Sequence, residues 1–151
     1  MLMSVIEEAQ SAPAYPELAD KRILITGITS DCGIDIARAF ADHKTRLVLQ
    51  FAEASESMQA VVEIAAPTAV ETMAFGPIGT ETDKIVRFAR RAVQAFGGLD
   101  AVINLVPLAP IEFEGALSMG AVDRLVADRL RAACIFSGIA ANRMSVTLTE
   151  G

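Results

Sequence analysis

The run Ile23-Leu-Ile-Thr-Gly-Ile-Thr-Ser-Asp-Cys-Gly-Ile34 constrains the fold of this chain more than any other feature. A short apolar, β-prone stretch ends in glycine, a polar turn comes next, and apolar residues then recur at helical spacing. Glycine at the end of a strand lets the backbone turn sharply and approach a ligand closely. The helix after the turn presents unpaired N–H groups and the positive end of its dipole, a combination suited to a pyrophosphate. Thr29 and Ser30 can add hydroxyl donors. The residues in position to hold such a group are Thr26, Gly27, Thr29, Ser30, Gly33 and Ile34. Asp31 lies beside them and would repel an anion, so a phosphate-binding turn and a plain structural turn both stay open.

The rest of the chain repeats the strand–helix theme. Apolar β-prone runs predict strands at 22–26, 46–51, 69–75, 101–104 and 144–149. Helical spacing predicts helices over 33–43, 55–65, 80–96 and 119–142. Pro67 stops the second, and Gly97-Gly98 ends the third, for which Thr80 and Asp83 supply a candidate cap. Strands alternating with helices imply an α/β domain of three layers, built on a parallel sheet of about five strands joined by right-handed crossovers. Residues 1–20 read as an N-terminal extension, with a short helix near 3–10 broken by Pro13 and Pro16. Residues 21–151 read as the domain. A receiver- or flavodoxin-like domain is the architectural alternative, but strand one would then end in aspartates or lead into a flavin phosphate loop, and here it ends in Thr26-Gly27.

Charge and composition exclude several classes of function. Among 151 residues, 13 are basic and 19 acidic, a net charge of −6. Such a balance disfavours nucleic acid and anionic membrane surfaces. The apolar stretch 132–141 is about half the length that spans a bilayer. The N-terminus has no basic segment leading into a long apolar run, so it does not read as a secretory signal. A single histidine, His43, argues against a histidine-based metal site. The two cysteines are far apart and read as reduced cytoplasmic thiols. Cys32, at a helix start, reads either as a reactive thiol or as a small loop residue.

The ordered motifs resemble the short-chain dehydrogenases/reductases. Thr26-Gly27 matches that family's opening pair. Gly33-Ile34 resembles its later Gly-Ile, with a longer spacing similar to the enoyl-acyl-carrier-protein reductase branch. Phe96-Gly-Gly-Leu-Asp-Ala-Val-Ile-Asn104 resembles the lead-in to the family's Asn-Asn-Ala-Gly motif. Leu108-Ala109-Pro110 resembles the segment after strand four in enoyl reductases. The likeness implies a Rossmann-like dinucleotide-binding domain, NAD or NADP as cofactor, and Asn104 as a further cofactor-site residue.

The departures are equally specific. After Asn104 the chain reads Leu105-Val106-Pro107. Gly76 stands where the family has an adenine-contacting Asp, and strand two ends in Gln50-Phe51 without a ribose-binding carboxylate or an Arg for a 2′-phosphate. Arg129 falls near the family's helix Asn. The only tyrosine is Tyr15, in the extension, and the catalytic Ser and Tyr-x-x-x-Lys have no match.

On this reading the chain lacks the C-terminal part of the family fold and is inactive alone, with no catalytic residue and no metal ligand to assign. It would act as a non-catalytic module, through a homodimer or a hetero-oligomer with a related chain, with NAD(P) binding retained or lost. The alternative is an NAD(P)-dependent oxidoreductase whose Ser, Tyr and Lys come from a partner chain or a further C-terminal part. On the long helix, Val122, Leu125, Val126, Leu130, Ala133, Ser137 and Ala140 form an expected apolar stripe. Asp123, Asp128, Arg124, Arg129 and Arg131 would form its solvated or interface face, with an active-site carboxylate as the alternative reading. That helix and the edge of strand five are the expected association surfaces.

Overall fold

The structure, a computed structural model, describes residues 15–29, 31–54, 56–106, 115 and 118–149, apart from the side chains of Asp31, Glu56, Ser57 and residues 145–149. The expected helix near 3–10, Pro13, Ser30 and the segment 107–110 lie outside the described residues.

Four parallel strands, β1 (Arg22–Ile28), β2 (Arg46–Phe51), β3 (Glu71–Phe75) and β4 (Ala101–Asn104), form one sheet in the order β3-β2-β1-β4. Helices α1 (Asp31–Asp42), α2 (Glu56–Ala65) and α3 (Thr82–Ala92) connect them, and α4 (Met119–Thr149) comes after β4. Side chains alternate across a strand, so each central strand feeds two cores. Ile23, Ile25, Leu47, Leu49 and Phe51 pack with Ala37, Ala41, Val61 and Ala65 of α1 and α2. Leu24 and Val48 point the other way, to Ile85, Phe88, Phe136 and Ala140 of α3 and α4. Burial on both faces explains why these strands read as continuous apolar runs. Three rings continue the second core: Phe75–Phe88 at 5.1 Å and Phe88–Phe136 at 5.6 Å, both edge-on.

Residues 15–20 lie against the N-terminal edge of the sheet. A short 3-10 turn, Pro16–Leu18, leads to Asp20, whose N–H donates to the Lys44 carbonyl at 2.9 Å. The Tyr15 ring packs edge-on against His43 at 5.5 Å. At that edge Arg22 donates two side-chain hydrogen bonds to Asp100, at 3.0 and 3.1 Å, and its backbone N–H adds a third at 2.8 Å. These bonds tie the start of β1 to the residue before β4. They hold the Asp100 carboxyl below the usual range, chiefly through the side-chain bonds.

Several expectations are corrected. Residues 144–149 are not a fifth strand but the last turns of α4. Their apolar–polar alternation favours a strand, yet no glycine or proline separates them from the helix before. A continuing helix satisfies its own backbone groups, whereas a strand needs a neighbour. Among the described residues the sheet therefore runs to β4, with no strand at 144–149 beside it. The buried side of α4 is also rotated from the expected stripe. Phe136 and Ala140 are buried with Ala132, Ile135, Ile139 and Met144 around them, while Val126 and Leu130 stay 48% and 42% exposed. Helix α3 ends earlier than expected, at Ala92, and its N-cap is Glu81 with no side-chain capping bond.

Two substitutions probe the stability of this arrangement. Gly27→Ala should destabilise the fold by about 3 kcal/mol or more, because residue 27 has positive φ and its Cβ would meet backbone. Urea unfolding measures this, and an unchanged midpoint would contradict the geometry. Asp100→Asn should cost about 1 kcal/mol at neutral pH. Because the folded carboxyl titrates lower than the unfolded one, the wild-type advantage should hold above about pH 4 and fade below it. Unfolding curves at pH 7 and at about pH 3 check the sign.

Candidate nucleotide-type crevice

The sheet order reverses between β1 and β4: from β1 the chain crosses to β2 and β3 on one side, then returns to β4 on the other. In open parallel sheets ligands settle in the crevice outside the strand ends at this point. Two hollows meet there, of about 280 and 240 Å³, and both are lined by Gly27, Leu105 and Val106. The first extends toward Gln50, Ile78 and Phe136. The second extends toward Thr29, Cys32 and Gly33 at the start of α1. Larger hollows of about 450 and 630 Å³ lie along α3, the second sharing the wall 77–79 with this crevice.

Gly27 is the pivot. Its φ is +73°, and a Cβ there would lie 2.0 Å from the Leu105 carbonyl oxygen. The β1–β2 pairing slips at this point: Ile25 faces Leu49 but Ile28 faces Phe51. One extra residue lets the chain turn out of the sheet without losing its neighbour. Gly33 is also forced, since a Cβ would lie 2.7 Å from Cγ2 of Ile28 and 3.3 Å from Cδ1 of Leu105. Both glycines thus answer to packing within the fold.

The polar groups at the strand ends bond largely to one another. The Thr26 hydroxyl donates to Oδ1 of Asn104 at 2.8 Å. The Asn104 amide donates to the Ser137 hydroxyl at 2.9 Å, which links β1, β4 and α4 in one chain of bonds. Gln50, 5% exposed at the end of β2, accepts the Gly27 N–H at 2.9 Å and donates to the Phe51 carbonyl. The amide that stands where a ribose carboxylate was sought thus closes the glycine turn from inside.

Of the residues expected to bind cofactor, Gly27, Thr29, Gly33 and Asn104 line the smaller hollow together, and Thr26 lines the larger. Thr29 is exposed and Gly33 buried, and Ile34 packs against the α1–α2 core instead. Ser30 lies outside the described residues. The sequence reading missed that Asp128 and Arg129, weighed chiefly as part of a solvated or interface face, border the larger hollow. It also missed the segment 77–80, which forms another wall and is tied to α4 by Arg131, donating to the Thr80 carbonyl at 3.3 Å. The signal for Gln50 was present: a lone amide in the apolar run Leu47-Val-Leu-Gln-Phe needs a buried partner. Tyr15 lies beside His43, at the opposite edge of the sheet from the crevice. Among the described residues, no group of three or more His, Cys, Asp or Glu is placed to hold a metal ion, and no helix is long and apolar enough to cross a membrane.

No family model matches the chain. Solved structures do. An NADH-dependent reductase in complex with NAD superposes with a TM-score of 0.74 at 22% identity, covering 90% of this chain and 57% of its own. A short-chain dehydrogenase/reductase from Serratia marcescens gives 0.72 at 21% identity, covering 84% and 52%. A short-chain dehydrogenase from Oenococcus oeni gives 0.69 at 22% identity, covering 84% and 58%. The chain therefore spans a little over half the length of the structures it matches, and over that span it has the Rossmann-like α/β fold of the short-chain dehydrogenases/reductases.

Proposed function

We propose that this chain is a non-catalytic module of the short-chain dehydrogenase/reductase fold, fitted to NAD or NADP and acting through self-association or a related partner. The observation that carries the reading is the crevice at the β1–β4 reversal, which holds the glycine turn but faces away from the chain's only phenol. The residues fit a dinucleotide in part. Thr29 and the start of α1 border the smaller hollow, where a pyrophosphate would meet N–H groups and a hydroxyl. Gln50, Ile78 and Gly79 border the larger one, on the side where the adenosine half would lie. The Gly27 N–H already has an acceptor, so the grip falls to Thr29, Ser30, Gly33 and Ile34. Association is supported by Met119, Val126 and Leu130, which are 73%, 48% and 42% exposed and share one side of α4.

A second reading is favoured by the coverage of the matched structures: the chain as part of an NAD(P)-dependent oxidoreductase, with Ser, Tyr and Lys supplied by a partner or by further sequence. The nicotinamide, when bound, would supply the hydride. This chain's part would be to hold and orient the dinucleotide.

Two measurements test the module. Titration of NADH and NADPH should give saturable binding, weakened about tenfold by Thr29→Val without loss of stability. The same protein should not oxidise NADH with carbonyl or enoyl substrates, and turnover by the isolated chain would sink the non-catalytic reading. Light scattering at about 100 µM should report a dimer or larger species. The double variant Val126→Asp/Leu130→Asp should be monomeric with an unchanged unfolding midpoint. A monomeric wild type would remove self-association.

A further inference from the structure

On this acidic chain, four of the 13 basic residues fall close together: Lys84, Arg87, Arg90 and Arg91. All lie on α3, whose other side is buried through Ile85, Phe88, Ala89 and Ala92. Lys84, Arg87 and Arg91 are spaced i, i+3 and i+7 and so share one stripe. That stripe lines a groove of about 630 Å³, with Phe75, Ile78 and Phe88 as its apolar surface. The far wall is the turn 76–79, where Gly76 and Gly79 leave open space: a Cβ on either would meet nothing within 4 Å.

The three cations differ in how they are held. Lys84 is 3.0 Å from Glu81 and is partly neutralised. Arg91 lies over the Phe75 ring, 5.3 Å from its centroid, which orients its guanidinium plane. Arg87 makes no ion pair or hydrogen bond among the described residues. Asp83 is the nearest other acid on this helix and lines a separate hollow with Arg87 and Arg90. Like charges one turn apart repel. Here the fold gathers two guanidinium groups beside an apolar floor with one carboxylate to offset them.

We propose that this groove binds a soluble phosphate ester, the phosphoryl group between Arg87 and Arg91 and the apolar part of the ligand against Ile78 and Phe88. Guanidinium groups present paired N–H donors matched to phosphate oxygens. An oriented, stacked arginine loses less freedom on binding than a loose one. The site is distinct from the crevice. The two share the wall 77–79, but the groove includes neither Gly27 nor α4. The proposal stands whether or not a dinucleotide occupies the crevice.

The test uses inorganic pyrophosphate as probe and tracks the arginine Nε–Hε resonances by NMR, assigned by their loss in Arg87→Ala and Arg91→Ala. Pyrophosphate should shift both resonances along a saturating curve, with a dissociation constant of about 1 mM or tighter. The double variant Arg87→Ala/Arg91→Ala should keep its circular dichroism and bind about tenfold more weakly or worse, read from backbone amides of residues 76–79. In Thr29→Val the Arg87 and Arg91 resonances should shift as they do in wild type, because they report the groove and not the crevice. Shifts that stay linear to about 50 mM, or equal affinity in the double variant, overturn the proposal. So does a groove that takes up a single-stranded oligonucleotide or anionic vesicles but not pyrophosphate. Loss of pyrophosphate binding in Thr29→Val with retention in the double variant places the anion in the crevice and overturns it as well.

Discussion

The Leu105 carbonyl occupies the space that a side chain on residue 27 would need, and the rest of the crevice is arranged around that contact. It brings the exit of β1 against the exit of β4, and the Leu105 N–H completes the join by donating to the Thr26 carbonyl at 2.9 Å. Thr26, Asn104 and Ser137 then extend it to α4. Each bond alone is worth about 1 kcal/mol, and the cost of leaving one unmade is greatest at Thr26, whose residue is buried. The mouth of the crevice is thus shaped by internal demands before any ligand is considered. The same residues that mark a dinucleotide fold in sequence have structural partners here.

Much of this was legible in the sequence where physics leaves little choice. Strands buried on both faces must be apolar throughout, and 46–51 stands where that pattern puts it; 101–104, only partly buried, stands there too because its apolar residues pack against both cores. The resemblance carried by Thr26-Gly27, Gly33-Ile34 and the approach to Asn104 is present in three dimensions as the same fold. The candidate site was legible only as a neighbourhood. Sequence placed Thr26, Gly27, Gly33 and Asn104 at one end of the sheet, but not the direction of their hydrogen bonds, which depends on Gln50 and Ser137 from distant parts of the chain.

Other errors have equally local causes. Alternation over residues 144–149 describes side chains and says nothing of whether a neighbouring strand exists, so helix and strand compete and the ongoing helix wins. The stripe on α4 was drawn from apolar residues alone. The contacts that select its buried side, Phe88 against Phe136 above all, come from α3. Net charge is a coarse guide to a surface. A value of −6 averages over the surface and hides a helix whose cations at 84, 87 and 91 face one groove. Local arrangement, not the total, decides what a surface attracts.

Gln50 gives the glycine turn a character of its own. Its amide bridges the Gly27 N–H and the carbonyl at the end of β2, so two adjacent strand ends are clamped by a side chain the protein carries itself. A loop clamped in this way is preorganised: its ordering entropy is lost on folding rather than on binding. Occupancy of the crevice would then stabilise the chain only as mass action requires, by an amount rising with the logarithm of ligand concentration above its dissociation constant. The empty and filled forms would share one backbone, and any signal passed to a partner would travel through the ligand's own surface rather than through a rearranged loop.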